Sequence, residues 1–167
     1  MNKTTSIDKV VAVRVRQQVS EDAGKLFFLF TTSQVEEVLS DIVVQPLPFA
    51  PVFLQGLTYW RESLLPVIDL EERFAIKSEE NNSGASRFVV VRVGAMENEA
   101  GGEVFRCVLK LSDEIFPMDI SASGFVVENK DIGIEPSLVR GTYRLNENSY
   151  IVPNLVYILQ NQSDVER

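Results

Sequence analysis

Histidine is absent from this 167-residue chain. With it go serine and cysteine catalysis of the histidine-dependent kind, and the commonest metal ligand. Cysteine occurs once, at Cys107. A single thiol builds neither a structural zinc site nor a disulfide framework, which fits a reducing cytosol. Cys107 lies in the apolar run VFRCVL, the setting of a buried inert thiol rather than a nucleophile. Basic residues are outnumbered: 16 Lys and Arg against 24 Asp and Glu leave a net charge of −8. Such a surface repels phosphate, so nucleic acid and anionic membranes are poor partners. No apolar run is long enough for a signal peptide or a membrane span. The expected location is the cytoplasm, without direct membrane insertion. The phosphate loop G-x-x-x-x-G-K-[ST], the dinucleotide fingerprint G-x-G-x-x-G and the calcium loop D-x-[DN]-x-[DN]-G do not occur. No cofactor, no metal and no catalytic residue is expected.

What the sequence does have is short apolar stretches between turn signals. It is 45% hydrophobic, enough for one domain or a closely packed pair of small ones. Val10–Arg16 reads as a strand from its β-branched residues, and Gln17–Lys25 as a loop. Leu26–Phe30 (LFFLF) is apolar throughout, the pattern of a strand buried on both faces. Val35, Val38, Leu39 and Ile42 recur at helical spacing, and Ser33 with Glu36 has the form of a capping box. A helix is therefore expected there, ending before Pro46, Pro48 and Pro51.

Leu57–Trp60 and Leu64–Ile68 form an expected hairpin with Arg61–Ser63 at its turn. Pro66 fits a sheet edge, where no ladder N–H is needed. Asp69 and Glu72 make a second capping box, opening one helical turn. Arg87–Val93 and Glu103–Leu111 are strands; Gly124–Glu128, Gly141–Leu145 and Ser149–Val152 are shorter ones. Asn154–Gln160 closes with apolar residues at helical spacing. Flexible loops are expected over 77–86 and 94–102. About ten short strands with two or three short helices argue for small barrels or a sandwich.

Carboxylates are plentiful, among them Asp69, Glu71, Glu72, Asp113, Glu114 and Asp119. One reading makes a pair of them the acid and base of a small hydrolase, which requires two carboxyl groups about 5–9.5 Å apart. The other makes them caps, turns and solvated faces.

Residues Gly56–Leu70, GLTYWRESLLPVIDL, carry the most specific pattern. The spacing G-x-x-x-x-R-x-x-x-x-P-V-I-D-L closely resembles the central signature of CheW-like domains, the coupling proteins of bacterial chemotaxis. LFFLFTTSQVEEVL, LPFAPVFLQG, RFVVVRV, VLKLSDEI, LVRGTYRL and SYIVPNLVYIL follow in the family's order, so the likeness spans Val10–Leu159. It implies a mainly β fold, with two SH3-like five-stranded barrels packed side by side and intertwined within one domain, residues 1–167. It also implies a non-catalytic adaptor. The partners implied are the cytoplasmic tip of a methyl-accepting chemoreceptor and the regulatory domain of a CheA-type histidine kinase, in chemotaxis or in pilus, gliding or phototaxis motility. Arg61 matches the family's signature arginine near the receptor surface, and Val35 matches an apolar position of a groove helix. Trp60 stands where leucine is usual, Glu62 where glycine is usual, and Tyr59 where asparagine is usual. Trp60 and Glu62 join Val35 and Arg61 as the candidate receptor-binding residues. A barrel of this kind reused for an unrelated partner is the remaining alternative.

Overall fold

The computed structural model describes residues 8–15, 24–76, 86–95, 104–111, 115–120, 124–127 and 133–160. The chain begins with β1 (Asp8–Arg14) and β2 (Leu26–Thr31), then β3 (Val35–Leu39), β4 (Leu54–Trp60) and β5 (Ser63–Asp69). A one-turn helix α1 (Leu70–Arg73) leads on to β6 (Arg87–Ala95) and β7 (Val104–Leu111). There follow β8 (Ile115–Ile120), β9 (Val126–Val127), a 3-10 turn at Pro136–Leu138, β10 (Val139–Leu145), β11 (Asn148–Pro153) and α2 (Leu155–Gln160). These strands form two sheets, ordered β8-β1-β2-β11-β10-β9 and β3-β6-β7-β5-β4. The first sheet takes strands from both ends of the chain and the second takes the middle. These are the two barrel subdomains expected; the first has six paired strands rather than five, the sixth being the two-residue β9.

The apolar runs are explained by three cores. One lies inside the first sheet, around Val10, Ala12, Phe27, Leu29 and Tyr150. One lies inside the second, around Leu65, Val67, Val90 and Val108. The largest is shared between the sheets and contains Phe28, Phe30, Ile68, Leu70, Val89, Val91, Cys107, Leu109 and Ile151. Side chains alternate across a strand. In β2, Leu26, Phe28 and Phe30 therefore enter the shared core while Phe27 and Leu29 enter the first barrel. β6 repeats the arrangement, with Val89 and Val91 between the sheets and Val90 inside the second barrel. A strand with a core on each side has no use for polar alternation, which is why LFFLF and FVVV are continuous.

Three local expectations give way. Residues 35–39 are β3, not a helix: Val35 pairs with Val91, and Glu37, Val38 and Leu39 pair with Val90, Val89 and Phe88. The ladder slips between Val35 and Glu37, leaving Glu36 as an extra, bulged residue. An inserted residue lets positions three apart share a face, so Val35 and Val38 imitate helical spacing. Ser33 and Glu36 form no capping box. Instead a tight turn bonds the Gln34 N–H to the Thr31 carbonyl at 3.0 Å, and Glu36 binds arginines.

Pro66, second, does not lie on an edge strand, because β5 runs between β7 and β4. Leu57, opposite Pro66, exchanges both its backbone bonds with Gln45 at 2.7 and 2.9 Å, so Pro66 faces away from β4. Pairing to β7 begins only at Val67. The missing N–H therefore falls where no ladder bond is required. The proline on a true edge is Pro117, in β8, a strand that the sequence reading left out.

Third, Gly94 and Ala95 belong to β6 rather than to a loop. The rest of 94–102, residues 77–85 and the carboxylates Asp113 and Glu114 lie outside the described residues.

The motif glycine has a steric reason. The isolated bridge Gln45↔Leu57 joins the segment after β3 to β4 and so closes the second sheet. A Cβ on Gly56 would lie 2.1 Å from the Gln45 carbonyl oxygen, and its φ of +145° also favours glycine. Asp69 caps α1, accepting the Glu72 N–H at 3.2 Å; its own N–H donates to the Phe53 carbonyl at 2.8 Å rather than to Glu72, so only half of the expected capping box forms.

Candidate functional site

The β4–β5 turn is Arg61–Glu62 alone. Both residues are left-handed, with φ of 42° and 66°. That is the form of a two-residue hairpin turn whose twist matches the flanking strands, and it normally selects Asn and Gly. Two ordinary L-residues there cost about 1 kcal/mol each. Side-chain contacts beside the turn hold the corner. The Trp60 Nε1–H and the Arg61 guanidinium both donate to Glu37 Oε2, at 2.9 and 3.1 Å. The guanidinium carbon lies 4.6 Å over the Trp60 ring, within cation–π range. Arg61 is thus paired with Glu37 of β3 and not with its neighbour Glu62, which is exposed.

Glu37 stands beside the bulged Glu36, and together they anchor a charged layer on the second sheet. Glu36 accepts from Arg92 at 2.7 and 3.1 Å and from Arg106 at 2.6 Å. Arg92 and Arg106 face one another across β6 and β7. Like charges so placed repel, and the carboxylate between them offsets that repulsion. The hydrogen bond from Arg106 holds the Glu36 carboxyl below its ordinary range; desolvation opposes this, and Arg92 adds to it. The same bond raises the Arg106 guanidinium.

Val35 and Val38 point the other way. They line a hollow of about 430 Å3 with Val11, Ile115, Pro117 and Arg87. β1 and β8 belong to the first sheet and β3 to the second, so this hollow is a groove between the sheets. Val35 also packs on the shared core, so it is both core and groove wall. A second hollow, about 640 Å3, runs beside the corner and is lined by Ile42, Val43, Tyr59, Trp60, Arg61 and Leu64 among others. Val43, Tyr59 and Leu64 are largely exposed there.

The four anticipated residues therefore divide. Trp60, Arg61 and Glu62 form one corner, whereas Val35 lines a different surface. The groove helix to which Val35 was assigned is a bulged strand. Glu37, Arg92 and Arg106 escaped the sequence reading, which gave Glu36 only the role of a helix cap. Their signal was available: adjacent glutamates between two valines, and single arginines inside strands that are otherwise apolar.

Several carboxylates within the described residues have structural partners. Asp69 caps α1 and pairs with Lys110 at 3.1 Å. Among the described residues no cluster of three or more His, Cys, Asp or Glu is arranged to hold a metal. Cys107 is buried in the shared core, and burial pushes its thiol up to about 12, far from a reactive thiolate. No helix of the described residues is long and apolar enough to cross a membrane.

No curated protein matches the sequence. Among solved structures, the scaffolding protein TtCheW from Thermoanaerobacter tengcongensis superposes with a TM-score of 0.63 at 21% identity, over 88% of each chain. That likeness carries the fold. The pattern that defines the CheW-like domain matches residues 9–163, nearly the whole sequence. The chain belongs to the CheW-like domain family, whose members are non-catalytic scaffold proteins of chemotaxis signalling, and it is not an enzyme.

Proposed function

We propose that the chain couples the cytoplasmic tip of a methyl-accepting chemoreceptor to the regulatory domain of a CheA-type histidine kinase. The observation that carries this reading is that the groove of Val35 and the partly apolar hollow beside Trp60 are separate, on a strongly acidic chain. The groove of Val35 and Val38 and the hollow beside Trp60 and Arg61 lie on different surfaces, so two partners have room to bind at once. A receptor tip is a helical hairpin, and the groove suits the apolar stripe of one helix. The corner supplies Trp60 and Arg61, residue types that dominate binding energy at interfaces.

The adaptor works by position. A core shared by both sheets makes them one unit, so partners held at either end keep a fixed geometry. Each contact is modest in area, and repetition across an array supplies the strength. The protein acts in the cytoplasm, where the kinase and the receptor tips are.

Titration calorimetry tests this with the kinase regulatory domain and a receptor-tip fragment from the same organism. Saturable binding to both, with a ternary complex by gel filtration, is expected. Failure to bind either would overturn the reading and favour a barrel reused for an unrelated partner.

A further inference from the structure

Arg87 opens β6, opposite Leu111 of β7. β3 finishes its pairing to β6 at Leu39↔Phe88, so Arg87 stands just past the last rung of β3. Among the described residues it is the only charged one lining the groove, against five apolar ones: Val11, Val35, Val38, Ile115 and Pro117. Its state differs from that of the other arginines near β3. Arg61, Arg92 and Arg106 each hold a glutamate of the β3 bulge. Among the described residues Arg87 has no ion pair and no side-chain hydrogen bond.

We propose that Arg87 is a specificity-determining residue of this groove. It selects a partner helix that carries a carboxylate one turn from the apolar side chain inserted beside Val35 and Val38. The inference rests on the groove being the receptor-tip site, and it names the chemistry that the tip must present.

Both walls of the groove argue for a helix. β3 and β8 are edge strands, and an edge invites an added strand. Here the Glu36 bulge interrupts one edge and Pro117 lies in the other. Neither offers a regular ladder to an incoming strand. A helix arrives with its backbone already bonded and needs only an apolar contact. On its surface, residues three or four apart are neighbours, so an apolar anchor and a carboxylate enter the groove together.

Charge argues for the carboxylate. A chain of net charge −8 repels an acidic partner over most of its surface. At Arg87 the sign reverses, beside apolar walls that exclude water from the contact. One attractive point on a repulsive surface fixes orientation and register more than it raises affinity. A guanidinium suits the task because its planar fork takes both carboxylate oxygens.

Binding of the purified full chain to a receptor-tip fragment from the same organism tests this, measured by anisotropy at low and high salt. R87Q is expected to weaken binding about twofold to fivefold, the size of an exposed charge interaction, and to flatten its salt dependence. R87E is expected to weaken it further. One receptor variant with a tip Glu or Asp changed to Lys, poor with the wild type, should recover binding to R87E. Wild-type affinity and salt dependence in R87Q and R87E would overturn the inference while leaving the receptor reading intact. So would a loss in R87E that no receptor reversal restores. A wild-type chain that binds no tip fragment would overturn the receptor reading itself. Arg87 is exposed, so unchanged thermal melts are expected to accompany the binding changes.

Discussion

Phe28 and Arg61 obey opposite rules within one small fold. Phe28 is 1% exposed and sits in the core between the sheets, with Phe74 edge-on at 5.1 Å. The Arg61 side chain is 69% exposed, on a left-handed turn, steered by one carboxylate and one indole. The shared core spends almost nothing on polarity, so its residues are replaceable only by residues of like volume. The corner is mostly charge and aromatic surface, and it keeps a strained turn where a relaxed one was available. Stability is concentrated between the sheets. The corner and the groove are what those sheets hold out to partners.

Four substitutions probe that contrast, from the largest expected effect to the smallest. Phe28→Ala leaves a cavity at the centre of the shared core and should cost about 3–5 kcal/mol in urea unfolding. A loss under 1 kcal/mol would mean that the two sheets do not depend on their common core. Glu36→Gln comes next, at about 1–2 kcal/mol, because it removes the charge and one of the two acceptor oxygens that hold two arginines. Its effect depends on pH. The folded protein holds the Glu36 carboxyl below its ordinary 4.5, with the Arg106 hydrogen bond as the main cause. Stability from this group is therefore complete above that value and is lost as the pH falls and the carboxylate protonates. The gap between wild type and Glu36→Gln should close on acidification. A gap that stays constant with pH would remove the ion pairs as its source.

Glu62→Gly should stabilise the chain by roughly 0.5–1 kcal/mol, since glycine carries no penalty at a φ of 66°. Destabilisation instead would show that the Glu62 side chain has a role in the turn. Arg61→Glu should change stability least, by about 0.5 kcal/mol or less, because an exposed ion pair contributes little. Its affinity for the partner docked at the corner should nonetheless fall. Unfolding of that variant would make the corner part of the core, and the contrast would collapse.

The elements that the sequence made visible are those whose environment is simple. β2 and β6 carry continuous apolar runs because each has a core on both faces. α1 begins at Asp69 because a side-chain cap needs only residues three apart. The G-x-x-x-x-R spacing was visible because Gly56 meets a steric limit and Arg61 a turn. β3 was misread for a definite reason: its bulge inserts one residue, and that insertion converts a period of two into an apparent helical one. Pro66 was assigned to an edge because sequence cannot tell which side of a strand lacks a partner over a given stretch.

The candidate site was half visible. Trp60, Arg61 and Glu62 are neighbours in sequence, so their corner could be read directly. Glu37 comes from 24 residues away and Arg92 and Arg106 from farther still, and no local pattern links them.

The sequence by itself determined the absence of histidine chemistry, the acidic surface, the strand-rich fold and the signature that places the chain in its family. Each of these depends on composition or on residues close along the chain. Only the tertiary structure decided that Arg61 answers to Glu37, that Val35 faces a groove rather than the corner, and that Arg87 stands in that groove with no counter-charge among the described residues. These depend on which strands become neighbours and in what register. A single bulged residue at Glu36 is enough to turn two valines toward one surface and two glutamates toward the other.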